Sequence, residues 1–263
     1  MFPVLHGPFG EDGTVQGLLK LANLPFVGSG VLSSSVCMDK DFSKRLFVEG
    51  GLSICKHLVF RSKEDINLDF KKVSSLLGTP MFVKPANMGS SVGIAKVRDE
   101  DGFEAAVESA FRFDNKIIIE ENIEGREVEV CVLGNDNPEV SCVGEIIPIN
   151  DFYSYEAKYL DEDGAKLEVP ADLDIDIVKK VKKAAIVAFK SLECSGMARC
   201  DFFITKTGHI YINEINSIPG FTKISMYPRL WAHSGVSYSD LIDKLIKLAV
   251  SRYTGEQKLR VSY

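Results

Sequence analysis

Two short apolar runs near the C-terminal end, Phe202 to Thr205 and His209 to Asn213, are separated by Lys206-Thr207-Gly208. Arg199-Cys200-Asp201 and Glu214-Ile215-Asn216 flank them. Runs of this length around a Thr-Gly turn signal predict a β-hairpin. A two-residue turn at Thr207-Gly208 places Asp201 opposite Glu214 and Arg199 opposite Asn216; a longer turn shifts every pairing. In the two-residue register all four side chains share one face, because strand side chains alternate. Opposed carboxylates sit about 5 Å apart at Cβ and repel, so the pair needs a cation between or beside it. Two carboxylates and an amide are hard oxygen donors that suit Mg2+, which keeps its other positions for water and substrate phosphates. Taken alone, the stretch could also be a solvated acidic hairpin edge.

With 263 residues the chain is long enough for a substantial core in two or three lobes. A net charge of −6 leaves no basic stripe to neutralise a phosphate backbone, so no nucleic acid partner is expected. No apolar stretch reaches the ~18–20 residues of a membrane span and no signal-peptide pattern opens the chain, which points to no membrane partner and to a cytoplasmic location. Cys37, Cys55, Cys131, Cys142, Cys194 and Cys200 form no C-x-x-C pair and read as reduced cysteines; Cys131, Cys142 and Cys200 lie within apolar runs.

Along the chain, Phe2 to Leu5 reads as a buried strand. A glycine-rich turn from His6 to Gly13 leads into a helix whose apolar face is Leu18, Leu19, Ala22 and Leu24, and Pro25 to Gly28 starts a short strand. Asp39 is a good N-cap for a helix reaching about Val48. A strand at Leu58 to Phe60, a helix at Lys63 to Leu77, strands at Met81 to Lys84 and Ile94 to Val97, a helix from Asp101 to about Phe113 and a strand at Lys116 to Glu120 make a central lobe. After a hinge at Glu121 to Arg126 come strands at Glu127 to Leu133 and Ser141 to Ile147. An irregular stretch from Asn150 to Pro170 suits a functional flap. A helix from about Asp174 to Glu193, the hairpin, and a helix from Tyr238 to about Tyr253 that buries Leu241, Leu245, Leu248 and Ala249 complete the chain.

Lys84-Pro85-Ala86-Asn87-Met88-Gly89-Ser90-Ser91-Val92-Gly93 puts a cation, two hydroxyls and two glycines between a pair of strands. Small residues let backbone N–H groups wrap phosphate oxygens. Joining strand to strand, the loop is neither the strand-to-helix P-loop nor the Rossmann turn; a merely tight turn is the plain alternative.

Lys84, this loop, Glu120 and Glu127 around the hinge, and Asp201, Glu214 and Asn216 together resemble the ATP-grasp fold, a mixed α/β (α+β) architecture in which two lobes clasp ATP. A finer likeness runs through His6-Gly7, Glu11-Asp12-Gly13-Thr14, Met38-Asp39-Lys40, Lys84-Pro85 to Gly93, Tyr155-Glu156-Ala157-Lys158-Tyr159, and Glu214-Ile215-Asn216 to Pro219-Gly220. These six segments, spanning nearly the whole chain, resemble the D-alanine–D-alanine ligase family.

The resemblance implies a partial N-terminal substrate-binding lobe (1–38), a central lobe (39–123) and a C-terminal lobe with metal site and flap (124–263). It implies that the carboxylate of one D-alanine takes the γ-phosphoryl group of ATP and the amine of a second attacks the acylphosphate, for peptidoglycan precursor synthesis. Lys40, Lys84 and Lys158 would contact ATP phosphates, with Ser90 and Ser91 in the covering loop. Glu120, Glu121, Ile123 and Glu127 would hold adenine and ribose. Asp201, Glu214 and Asn216 would carry two Mg2+ (or Mn2+) ions. Arg199 with the Gly220 backbone N–H would stabilise the tetrahedral intermediate, and Ser90 and Tyr159 would act at the first substrate. His6, Glu11, Ser225 and Met226 would border the amino-acid pockets. A homodimer is expected.

Each position has a plainer reading: an ion pair for Arg199, a solvated helix lysine for Lys40, a loop histidine for His6, a surface loop for Asn150 to Pro170. Members of the family carry a further strand and helix ahead of the segment that opens here, including an acidic residue for the first substrate's amine. A catalytically weak ATP-binding protein, or a ligase for another amino or hydroxy acid, is therefore the alternative.

Overall fold

The structure is a computed structural model that describes residues 1–65, 67–148, 165–222 and 225–260. Three helices, α1 (Thr14–Leu21), α2 (Val31–Met38) and α3 (Lys40–Glu49), precede the first strand. An antiparallel sheet in the order β1-β4-β2-β3 is built from β1 (His57–Phe60), β2 (Met81–Pro85), β3 (Ala95–Val97) and β4 (Ile117–Glu121). Against it lie α4 (Phe70–Leu77) and α5 (Glu100–Ala110), whose Val73, Leu77, Phe103 and Ala106 share a core with Met81, Val83, Ile117 and Ile119. Asp99 starts α5 by accepting the Gly102 N–H, the N-cap chemistry expected of an aspartate there.

A second antiparallel sheet, in the order β7-β6-β5-β8-β9, comprises β5 (Gly125–Gly134), β6 (Glu139–Pro148), β7 (Ala165–Glu168), β8 (Gly196–Thr205) and β9 (Ile210–Asn216). Its central strand is covered on both faces. Val128, Val130 and Val132 of β5 face a core containing Val181, Ala185 and Phe189 of α6 (Ile175–Ser191) and Phe47 of α3. Cys131 and Leu133 face the opposite core, with Tyr227 and Leu230 of α7 (Met226–His233) and Leu241 and Leu245 of α8 (Tyr238–Glu256). Double coverage explains why its second half, Val130 to Leu133, is a continuous apolar run.

The structure corrects several expectations. Phe2 to Leu5 and Pro25 to Gly28 are not strands. They touch through a bond from the Val27 N–H to the Met1 carbonyl, and no ladder forms. On α1 only Leu19 of the supposed apolar face is buried; Leu18, Ala22 and Leu24 are exposed. The helix expected from Lys63 begins at Phe70, because the Asp69 carboxylate caps Lys72 and the Asp65–Asn67 turn diverts the chain before it. Two helices, α2 and α7, went unrecognised. α2 is rich in serine, which disfavours a helix by intrinsic propensity, and buried Ser33, Ser34 and Cys37 hold it by packing.

The hairpin turn is also longer than two residues. The Thr205 N–H bonds the His209 carbonyl across Lys206-Thr207-Gly208, and Gly208 has φ +77°, the left-handed position such a turn requires. Phe202 therefore pairs with Ile212, one residue short of the two-residue register. A bulge at Asn213 then restores the offset, so Asp201 does face Glu214 and Arg199 does face Asn216.

Candidate active site

A cleft between the two sheets is lined by Lys40, Phe82, Lys84, Met88, Ser90, Ser91, Glu120, Glu121, Ile123, Glu127, Asp201 and Glu214, among others. Asp39 starts α3 by accepting the Asp41 and Phe42 N–H groups, which aims Lys40 into the cleft floor. Lys40 Nζ donates to the Met88 carbonyl of the glycine loop (2.6 Å) and lies 4.0 Å from Glu214 Oε2. Burial lowers the Lys40 ammonium below its ordinary value, and the nearby Glu214 charge offsets part of that. Lys40 is thus no solvated helix lysine.

Lys84 alternates on β2 with the core residues Met81 and Val83 and so faces the cleft. Its ammonium donates to Glu120 Oε2 (2.6 Å). The loop that follows is anchored at its base, where the Asn87 N–H and side chain both donate to Asp114 Oδ2 and the Lys40 N–H bonds the Ala86 carbonyl. Ser90 and Ser91 both occupy the left-handed region, at φ +55° and +60°. Such conformations cost about 1–3 kcal/mol each and concentrate where a loop wraps a ligand. The Val92 N–H bonds back to the Gly89 carbonyl and closes the tip.

Three carboxylates stand in a row across neighbouring strands: Glu129 on β5 opposite Asp201 on β8, and Asp201 opposite Glu214 on β9. Arg199 holds the first two. Its Nε and Nη2 each lie 2.7 Å from an Asp201 oxygen, and Nε lies 3.2 Å from Glu129 Oε2. Burial alone would lower the guanidinium, but Asp201 and then Glu129 outweigh it and hold it well above its ordinary value. Asn216 Nδ2 donates to Asp201 Oδ2 (3.1 Å), which leaves the amide oxygen turned away from that carboxylate. Among the described residues no three His, Cys, Asp or Glu side chains converge as a metal nest. The expected donor set has only two carboxylates, the third donor being the Asn216 amide.

In the N-terminal loop, His6 Nδ1 donates to the Ile218 carbonyl (3.2 Å) and the Gly7 N–H donates to Glu11 Oε2 (2.7 Å). Burial raises the Glu11 carboxyl above its ordinary value despite that bond and the nearby His6 and Arg199 charges. A Cβ built on Gly89 would stand 3.9 Å from Glu11 Oε2, so the N-terminal loop reaches the glycine loop. Gly220 lies against Ser225: a Cβ at 220 would meet Ser225 Oγ at 2.8 Å. Ser225 Oγ also accepts the Thr222 N–H. Met226 is a core residue packed with Tyr227 and Leu230, so no exposed side chain supports a pocket role for it. Lys158 and Tyr159, with the rest of the expected flap up to residue 164, fall outside the described residues.

Models of the D-ala D-ala ligase C-terminus and N-terminus match residues 46–247 and 1–29. The chain belongs to the D-alanine–D-alanine ligase family. It is 54% identical over 262 residues to the D-alanine–D-alanine ligase of Shouchella clausii, covering all of this chain and 71% of that ligase. The D-alanine–D-alanine ligase structure from Coxiella burnetii superposes with a TM-score of 0.88 at 42% identity, covering 98% of this chain and 69% of that one. The Bacillus anthracis D-alanine–D-alanine ligase, solved in complex with ATP, superposes at 0.81 with 30% identity, covering 96% and 79%. The two sheets are the lobes of the ATP-grasp fold that these ligases have.

Sequence reading missed several ligase residues that the fold brings in. Lys44 stands one turn beyond Lys40 on the same face of α3, and that i, i+4 spacing was its signal. Glu129 alternates with Glu127 among the valines of β5. Asn213 announces the bulge, because the apolar spacing 210, 212, 215 changes from two to three there.

Proposed function

We propose that this chain joins two D-alanine molecules into D-alanyl-D-alanine at the expense of ATP, releasing ADP and phosphate. The observation that carries the reading is the convergence in one cleft of Lys40, Lys84 and the Ser90-Ser91 loop with Asp201 and Glu214. A ligand with a chain of phosphates and a divalent cation fits this arrangement, because the lysines can meet phosphate oxygens and the carboxylates a cation. In the proposed reaction the first carboxylate attacks the γ-phosphorus and the bond to ADP breaks. The amine of the second D-alanine then attacks the acyl carbon, loses a proton, and phosphate leaves.

Lys40 and Lys84 orient the phosphates, and Ser90 and Ser91 cover them. Catalysis of such transfers is mostly positioning and charge neutralisation. Asp201, Glu214 and the Asn216 amide oxygen are hard donors that fit Mg2+ or Mn2+, two ions in this reading, which would neutralise the phosphate oxygens. Arg199, held by Asp201 and Glu129, presents its remaining N–H groups to the tetrahedral oxyanion beside Gly220. His6, Glu11 and Ser225 border the amino-acid sites, and Lys158 and Tyr159 belong to the covering flap. The lobes 1–38, 39–123 and 124–263 carry substrate, nucleotide, and metal with flap. Among the described residues no helix is long and apolar enough to cross a membrane. Exposed Leu18, Leu21, Leu24 and Leu32 supply an apolar surface for the second copy of a homodimer.

The test is D-alanine-dependent ADP release with ATP and Mg2+, using D-lactate and L-alanine as competitors and Asp201→Ala/Glu214→Ala as control. Turnover that needs D-alanine and vanishes in the control supports the proposal. ATP binding without turnover would support the catalytically weak reading.

A further inference from the structure

Three charged groups stand in a row that runs from the cleft into the protein behind it. Lys44 Nζ lies 2.9 Å from Glu120 Oε1, and Lys84 Nζ lies 2.6 Å from Glu120 Oε2. Lys44 and Glu120 side chains are 1% and 3% exposed, so bulk water does little to screen them. Lys84 and Glu120 line the cleft; Lys44 sits behind them, also donating to Cys55 Sγ (3.5 Å) and to the carbonyl of Asn213 (3.4 Å), the bulge residue beside Glu214.

A Lys84–Glu120 pair by itself is neutral and would offer a phosphate no net attraction. With Lys44 on the other carboxylate oxygen, the trio carries one net positive charge, and the end of it that faces the cleft is Lys84. We infer that Lys44 is a positioning residue for the nucleotide: it neutralises Glu120 from behind, so that Lys84 keeps its charge for the phosphates. The inference rests on the proposal that the cleft takes ATP. Burial alone would raise the Glu120 carboxyl, but Lys44 and Lys84 together hold it well below the usual carboxylate range, and it stays ionised. Burial would lower the Lys44 ammonium, and Glu120 ahead of Cys55 raises it instead.

The experiment is calorimetric titration of the full chain with adenosine, ADP and ATP in Mg2+ buffer, for the wild type, Lys44→Met, Glu120→Gln and the double variant. In the wild type affinity rises along that series. Lys44→Met flattens the rise, weakening ATP about tenfold or more while adenosine moves little. Glu120→Gln steepens it, and the double variant, whose Lys84 is again the one charge, recovers a rise near that of the wild type. A merely structural Lys44 gives a different pattern: Lys44→Met weakens all three ligands alike, and Glu120→Gln does not rescue it. Either result overturns the inference. Should Lys44→Met not fold, Glu120→Gln decides alone, and no gain for ATP relative to adenosine refutes the charge argument. A wild type that binds the three ligands equally overturns the ATP reading itself, and is distinct from a wild type that prefers ATP but loses nothing in Lys44→Met.

Discussion

Lys116 is buried where α3 meets the base of the glycine loop, and removing its charge should cost far more than an exposed ion pair would. Its ammonium bonds Asp39 Oδ1 (2.6 Å) and lies 3.5 Å from Asp41 Oδ2, with the Phe42 ring 4.9 Å away over the charge. Lys116→Met leaves Asp41 with the two-point grip of Arg45, but leaves Asp39 with only its capping bonds in a mostly buried setting. Breaking a buried pair by removing one partner costs about 3–5 kcal/mol. Asp39 keeps 16% side-chain exposure, so the low end applies, about 3 kcal/mol. At roughly 2–4 °C per kcal/mol for a chain of this size, Tm should fall by about 6–12 °C. Asparagine caps a helix as well as aspartate does, so Asp39→Asn combined with Lys116→Met removes both charges and should return to within about 1 kcal/mol of the wild type. Urea unfolding of the wild type, Lys116→Met and the double variant reads this directly. A single variant that loses under ~1 kcal/mol, or a double variant no better than the single, refutes the reasoning.

Arg199→Lys replaces a two-point grip on Asp201 with a single ammonium, and turnover should drop about 10²–10³-fold while ATP binding by calorimetry is little changed; equal loss of both would place Arg199 in nucleotide binding instead. Because burial raises the Glu11 carboxyl above 4.5, the folded protein holds an extra proton between that value and the raised one. Stability contributed there declines as pH rises through the window, and Glu11→Gln should remove that decline in urea titrations at stepped pH; superimposable pH profiles would count against it. Deleting Asn213 should straighten β9 with Asp201 still opposite Glu214, since the hairpin's own register then supplies that pairing. A soluble protein with a cooperative melt is the expected result, and loss of strand signal in circular dichroism would show the bulge to be essential.

The hairpin register shows both the reach and the limit of reading this chain from its residues. The two-residue turn was wrong and the pairing of Asp201 with Glu214 was right, because the three-residue turn and the Asn213 bulge cancel. Local patterns with one dominant cause were legible: Asp39 and Asp174 as aspartates at helix starts, Leu241 and Leu245 on a buried helical face, the small residues of the glycine loop. Elements stabilised by distant partners were not. α2 depends on buried contacts such as Ser33 with Cys194, 161 residues away, and no periodicity marks such a contact. The same distinction runs through the site. Lys40, Lys84, Asp201 and Glu214 could be singled out because each stands in a motif, whereas Lys44, Glu129 and Lys116 act through partners on other strands and helices. A charged residue that touches its ligand leaves a trace in its immediate neighbours. One that works by balancing another charge leaves at most a faint local trace, such as the four-residue spacing of Lys44 from Lys40, and the Lys44–Glu120–Lys84 row is where that difference can be measured.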